Sequence, residues 1–119
     1  MYSSMLRFNF PASFAPGGAY EEAPALALAA VSMSGASRSL GLCLLCSEGL
    51  RAHSEGATLP RAVALAPVSV LPRTSARVPV ELYEGVARVA HLEGVSIART
   101  WGALLELGAS RLCGGEVAL

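Results

Sequence analysis

Between Arg73 and Val78 polar and apolar side chains alternate, and from Val80 onward the apolar positions recur every three or four residues. Alternation marks a strand with one covered face, so Arg73-Thr74-Ser75-Ala76-Arg77-Val78 is expected to be extended. Pro79 ends the strand and suits the first turn of a helix, where its missing N–H costs nothing. Leu82, Val86, Val89 and Ala90 then form a single apolar stripe on a helix running to Glu93. Glu81 and Glu84 lie in its first turn, where the helix dipole favours an acid. Gly94 holds the place usually taken by a left-handed C-terminal residue. Ser96 is a good N-cap for a second helix, on which Ile97, Trp101, Leu104, Leu105 and Gly108 share a face. The expectation is strand, helix, tight turn, helix.

Before Leu71 the patterning is weaker. Met1 to Glu22 holds Pro11, Pro16, Gly17, Gly18 and scattered aromatics without a sustained period, which reads as loop. Ala23 to Met33 is rich in Ala and Leu and is expected to form a short helix. Leu40 to His53 places Leu42, Leu45, Cys46 and Leu50 at roughly helical spacing, with Gly49 as an interruption. Leu59 to Leu71 is punctuated by Pro60 and Pro67 and reads as an extended connector. The expected organisation is an N-terminal extension over residues 1–70, partly disordered with short helices, a β-α-α domain over 71–112 and a tail over 113–119. Met33 is an alternative start, which would make the residues before it dispensable.

Composition adds two constraints. Hydrophobic residues make up 53% and charged residues 15%, so the chain has ample core-forming material and lacks the profile of full disorder. Nine Arg and nine Glu cancel, and they cancel again on each side of Val70, four against four and five against five. A uniformly basic nucleic-acid binder is therefore excluded, and attraction to phosphate has to be local. Such a patch exists between Leu71 and Val80, which holds Arg73 and Arg77 and no acid.

The three cysteines, Cys43, Cys46 and Cys113, are too few and odd in number for a disulfide framework, which points to a reducing compartment. Cys43-Leu44-Leu45-Cys46 has CxxC spacing with His53 beyond it, but a single pair with apolar residues between the thiols reads as two small buried side chains rather than zinc ligands. His91 reads as an exposed helix residue, His53 as a loop residue, Tyr83 as surface packing and Trp101 as a core anchor. No secretory signal is recognisable, because Glu21 and Glu22 precede the apolar run. No apolar stretch reaches the ~20 residues of a spanning helix. A cytoplasmic protein without a membrane partner is expected. No Asp occurs, no Gly loop suits a phosphate, and no Ser or Cys has an identifiable base, so neither an enzyme nor a cofactor or metal is expected.

The segment TSARVPVELYEGVARVAHLEGVSIARTWGALLELG resembles the ribbon-helix-helix family of bacterial, plasmid and phage repressors and antitoxins. The resemblance rests on the strand ending in Val78-Pro79, the Glu81-Leu82-Tyr83-Glu84 helix opening, the Val86/Val89/Ala90 face, Glu93-Gly94 and the Ser96 cap. It covers about a third of the chain. It implies an α+β, mostly helical fold in which two chains form an intertwined dimer through an antiparallel ribbon that enters the DNA major groove. Physics points the same way, since a segment this short buries too little surface to fold alone and a lone strand leaves both edges unpaired. The expected dimer core is Ala76, Val78, Leu82, Val86, Val89, Ile97, Trp101, Leu104 and Leu105.

With Val78 and Ala76 inward, alternation turns Arg73, Ser75 and Arg77 outward, where Arg reads guanine and Ser bonds base edges or phosphate. The resemblance further implies a phosphate clamp at the start of the second helix, from backbone N–H groups around Ser96 and Ile97 assisted by Arg99. The expected function is a homodimeric, sequence-specific DNA-binding protein, a transcriptional repressor or autoregulatory antitoxin. The alternative is a protein-interaction module of the same fold, docking a protein partner through residues 1–70. Five features depart from the family pattern: the small inward Thr74 and Ala76, Gly85 and Gly102 inside helices, polar Thr100 at an apolar position, Arg99 near a helix start, and an extension that precedes the motif where family antitoxins carry a tail after it.

Overall fold

The strand forms where alternation places it, over Thr74–Pro79, but its partner belongs to the same chain. The computed structural model describes residues 3–60, 63–67, 69–71 and 74–113. In it β1 (Ser3–Phe8) runs antiparallel to β2 (Thr74–Pro79), with Leu6 opposite Ala76 and Ser4 opposite Val78. After β1 come a 3-10 turn (Ala12–Phe14), α1 (Ala23–Ala30) and α2 (Arg38–Ser54). After β2 come α3 (Val80–Glu93) and α4 (Ile97–Cys113). The order is therefore β-α-α followed by β-α-α, an α+β fold whose two-stranded ribbon is closed within one chain.

The second half folds as its pattern indicates. Pro79, the last strand residue, is also the N-cap of α3, and Gly94 ends that helix in the left-handed region at φ 71°. Ser96 opens α4, its Oγ accepting from the Arg99 N–H at 3.2 Å. Ser37 opens α2 in the same manner, accepting from the Leu40 N–H at 3.3 Å. Both of these helices are 17 residues long. In each, a leucine stands eight residues after the capping serine and a glycine twelve: Leu45 and Gly49 in α2, Leu104 and Gly108 in α4.

Those four residues make the central crossing. A Cβ on Gly49 would run into the Leu104 carbonyl, and a Cβ on Gly108 into the Leu45 carbonyl, so the backbones touch reciprocally. Around this point one core draws on both halves of the chain. Leu6, Phe8, Phe10, Phe14, Leu42, Leu45 and Cys46 pack with Val78, Val86, Val89, Trp101, Leu104 and Leu105. Phe8 lies edge-on to Phe10 at 5.0 Å and tilted against Trp101 at 5.6 Å between ring centroids.

Three expectations are thereby corrected. Residues 1–70 form the short helices expected, as α1 and α2, but are not a separate extension, since with β1 they supply much of the core and the boundary at residue 70 separates no packing units. The residues expected to meet across two chains, Ala76, Val78, Val86, Val89, Trp101, Leu104 and Leu105, are buried within one, with Leu82 and Ile97 half-buried against them. The unpaired-strand argument for an intertwined homodimer falls away, because β1 satisfies that edge in cis. Of the connector expected over 59–71, the described stretch 63–67 lies against the turn after β1, with Ala12 donating to the Ala64 carbonyl at 2.7 Å and Ala66 to the Phe10 carbonyl at 2.9 Å, whereas Val70 and Leu71 donate back to the Pro67 carbonyl in a turn and are not extended.

Two measurements check this arrangement. Gly49→Ala and Gly108→Ala each lower stability in urea denaturation by about 1–3 kcal/mol, because the new methyl meets backbone rather than a side chain that could swing away. Gly102→Ala is the control: its Cβ would sit 3.6 Å from Pro11 Cγ and 3.8 Å from Val63 Cγ1. It leaves stability unchanged or raises it by up to about 1 kcal/mol through helix propensity. Light scattering on the full chain gives the mass of one chain, and removal of residues 1–32, which carry β1 and α1, abolishes cooperative unfolding.

Candidate nucleic-acid interface

Because side chains alternate across a strand, the ribbon has one face against the core and one in solvent. Leu6 (5% exposed), Phe8 (1%), Ala76 (2%) and Val78 (0%) make the inner face. Ser75 and Arg77 point outward, as alternation requires, and β1 adds Met5 and Arg7 beside them. Met5 stands opposite Arg77, and Arg7 opposite Ser75. The two arginines thus occupy a diagonal of the ladder, where side-chain origins lie roughly 7–8 Å apart. Arg73 lies outside the described residues.

Neither Arg7 nor Arg77 forms an ion pair among the described residues. Glu48 and Glu55 are engaged elsewhere. Arg51 bridges Glu48 and Glu55 along α2, and Arg111 of α4 joins Glu55 at 3.3 Å and Glu48 at 4.0 Å. Arg38 lies over the Phe10 ring, 4.9 Å from its centroid. The outer face of the ribbon is a small cationic surface whose other side is packed on the core. Its backbone is tied down from behind, where Cys43 Sγ donates to the Arg77 carbonyl at 3.8 Å.

The start of α4 is a separate location. Ser96 and Arg99 are exposed and Ile97 is half-buried. With the Arg99 N–H taken by Ser96 Oγ and the Thr100 N–H by the Ser96 carbonyl at 2.9 Å, the first-turn N–H groups of Ile97 and Ala98 have no acceptor within the helix. Arg99 borders a crevice with Leu59, Pro60, Glu93, Val95, Thr100 and Ala103, and none of the four outer ribbon side chains lines it. Glu93 sets a carboxylate there, 3.1 Å from His53 Nε2, and so opposes an anion. The expected DNA contacts therefore divide between two places, and the structure does not bring Ser96, Ile97 and Arg99 together with Ser75 and Arg77 in one crevice.

His53 is a helix residue joining α2 to α3 rather than a loop residue, while His91 is exposed. Cys43 and Cys46 are buried in α2, and that burial raises both thiol pKa values above the ordinary range, Cys46 the more strongly. Among the described residues no group of three or more His, Cys, Asp or Glu is placed to hold a metal ion, and no helix is long and apolar enough to cross a membrane.

Met5 and Arg7 are the site residues that sequence reasoning missed. The signal was the spacing of Leu6, Phe8 and Phe10, a period of two with Arg7 and Asn9 between, hidden among the prolines and glycines that follow. No family model, curated protein or solved structure matches the chain.

A thiol-labelling experiment checks the burial. At pH 8 a raised pKa keeps the buried thiols protonated and unreactive. Native protein treated with iodoacetamide therefore takes up at most one label, on half-buried Cys113, whereas protein in denaturant takes up three, as read by mass spectrometry.

Proposed function

We propose that this protein binds DNA in a sequence-specific manner by laying the outer face of its β1–β2 ribbon into the major groove, and that it acts as a repressor or autoregulatory antitoxin. The observation that carries the reading is the pair Arg7 and Arg77, two guanidinium groups without acidic partners among the described residues, on one face of a ribbon whose other face is packed against helices. A two-stranded ribbon has the width that the major groove admits, and Arg is the residue that pairs bidentately with guanine O6 and N7. The ribbon-helix-helix resemblance supports the same geometry. In this chain the two β-α-α units needed for such a ribbon follow one another in a single polypeptide, so one chain is the binding unit.

Docking of a protein partner through residues 1–70 would require their apolar segments to be available to it. In the fold Phe8, Phe10, Phe14, Leu42 and Leu45 are buried inside the molecule, so that requirement is not met.

Fluorescence anisotropy with duplex DNA from the protein's own upstream region tests the proposal. Affinity falls steeply between 50 and 200 mM salt, as release of condensed counterions requires. The double variant Arg7→Ala/Arg77→Ala weakens binding by tenfold or more, with an unchanged circular dichroism spectrum. Undiminished affinity in that variant excludes the ribbon as the reading element.

A further inference from the structure

The two strands of the ribbon are equivalent in backbone but not in side chains. Pairing Leu6 with Ala76 places a local two-fold axis between them, and this axis exchanges Arg7 with Arg77 and Met5 with Ser75. The arginines obey the symmetry and the other two residues break it. Met5 is 56% exposed, a large apolar side chain in solvent at the centre of a cationic face, opposite Arg77. Nothing in the core requires it there.

Building on the DNA-binding reading, we infer that Met5 is a specificity-determining residue and that the chain recognises a non-palindromic duplex, with a guanine in each half and a thymine in one half only. Palindromic sites mirror the two-fold symmetry of the dimers that read them. A ribbon with Arg/Met on one side of its axis and Arg/Ser on the other lacks that symmetry. Each arginine calls for guanine in its half. An apolar side chain at the groove floor is matched by the thymine C5-methyl, the one apolar group a base edge presents there, whereas a Ser hydroxyl bonds several base edges and discriminates weakly. The asymmetry of Met5 and Ser75 is thus transferred to the DNA.

The experiment is selection from a pool of random duplexes with the full chain, carried out in parallel with Met5→Ser, a solvent-facing change that makes both strands present Arg and Ser. Wild-type protein enriches an asymmetric sequence bound by one chain per duplex. Replacing the relevant thymine by deoxyuridine, which removes only the methyl, weakens binding about fourfold, the value of one buried methyl group. Met5→Ser loses that sensitivity and no longer selects thymine at that position. A palindrome selected by the wild type, or equal affinity for thymine and deoxyuridine duplexes, overturns the inference while leaving DNA binding in place. If no duplex is enriched, the DNA reading fails and this inference with it.

Discussion

Where α2 crosses α4, each helix presses a carbonyl against the Cα of a glycine in the other, Leu104 on Gly49 and Leu45 on Gly108. The distance between packed helices is set by the side chains at the point of contact, and here there are none. Two interior glycines cost about 1 kcal/mol each in helix propensity. In return the helices approach closely enough for Leu45, Leu104 and Leu105 to be wholly buried, and each glycine places a Cα hydrogen toward a carbonyl, a contact worth roughly 0.5–1 kcal/mol. The ribbon depends on this crossing. α4 packs against β1 and α2 against β2, so each strand rests in part on a helix of the opposite half, with α3 against both. Loosening the crossing separates the two supports on which the strands lie.

The inner face of the ribbon follows from the same interlocking. Ala76 is too small to fill the space beneath a two-stranded sheet, and on a ribbon made of two copies of β2 that deficit would be doubled. Opposite it stands Leu6, with Phe8 two residues on and Trp101 behind. Large residues on β1 complement small ones on β2, which is how facing positions reach the density of a protein interior. The small residue that looked like a defect in one strand is the fit for its neighbour.

This explains which parts of the molecule were legible. α3 and α4 were, because the large apolar residues of each recur at helical spacing, although α4 is in fact buried around most of its circumference from Thr100 to Leu105, and because Ser96 and Gly94 mark their ends with specific hydrogen bonds and a specific backbone conformation. α2 was legible only faintly: the helix expected over Leu40 to His53 forms over Arg38–Ser54. Leu42, Leu45, Cys46, Gly49 and Ala52 are buried at helical spacing and Ser47, Arg51 and Ser54 are exposed opposite them, but small residues in that stripe leave little contrast between the two sides. Gly49, read as an interruption, is where the fold is tightest. β1 was missed because only Leu6 and Phe8 carry its inner face, too few alternations to stand out. The dimer expectation followed from a sound requirement, that β2 needs a partner, with a second copy as the only visible candidate. Half of the candidate site, Ser75 and Arg77, was therefore legible, and the half on β1 was not.

Zero net charge is compatible with a charged site because of where the charges lie. A chain with nine Arg and nine Glu exerts little long-range pull on a polyanion. At physiological salt, however, exposed charges are felt only within about 8 Å. The Arg51, Arg111, Glu48 and Glu55 cluster cancels internally and contributes little beyond its own surface. Arg7 and Arg77, separated by about that screening distance on the ladder diagonal, act together on anything that touches the ribbon. Discrimination then depends on contact rather than on attraction from afar. On the proposed DNA-binding reading, such a surface would hold weakly to duplexes in general, and the few side chains on its outer face would determine where it stays.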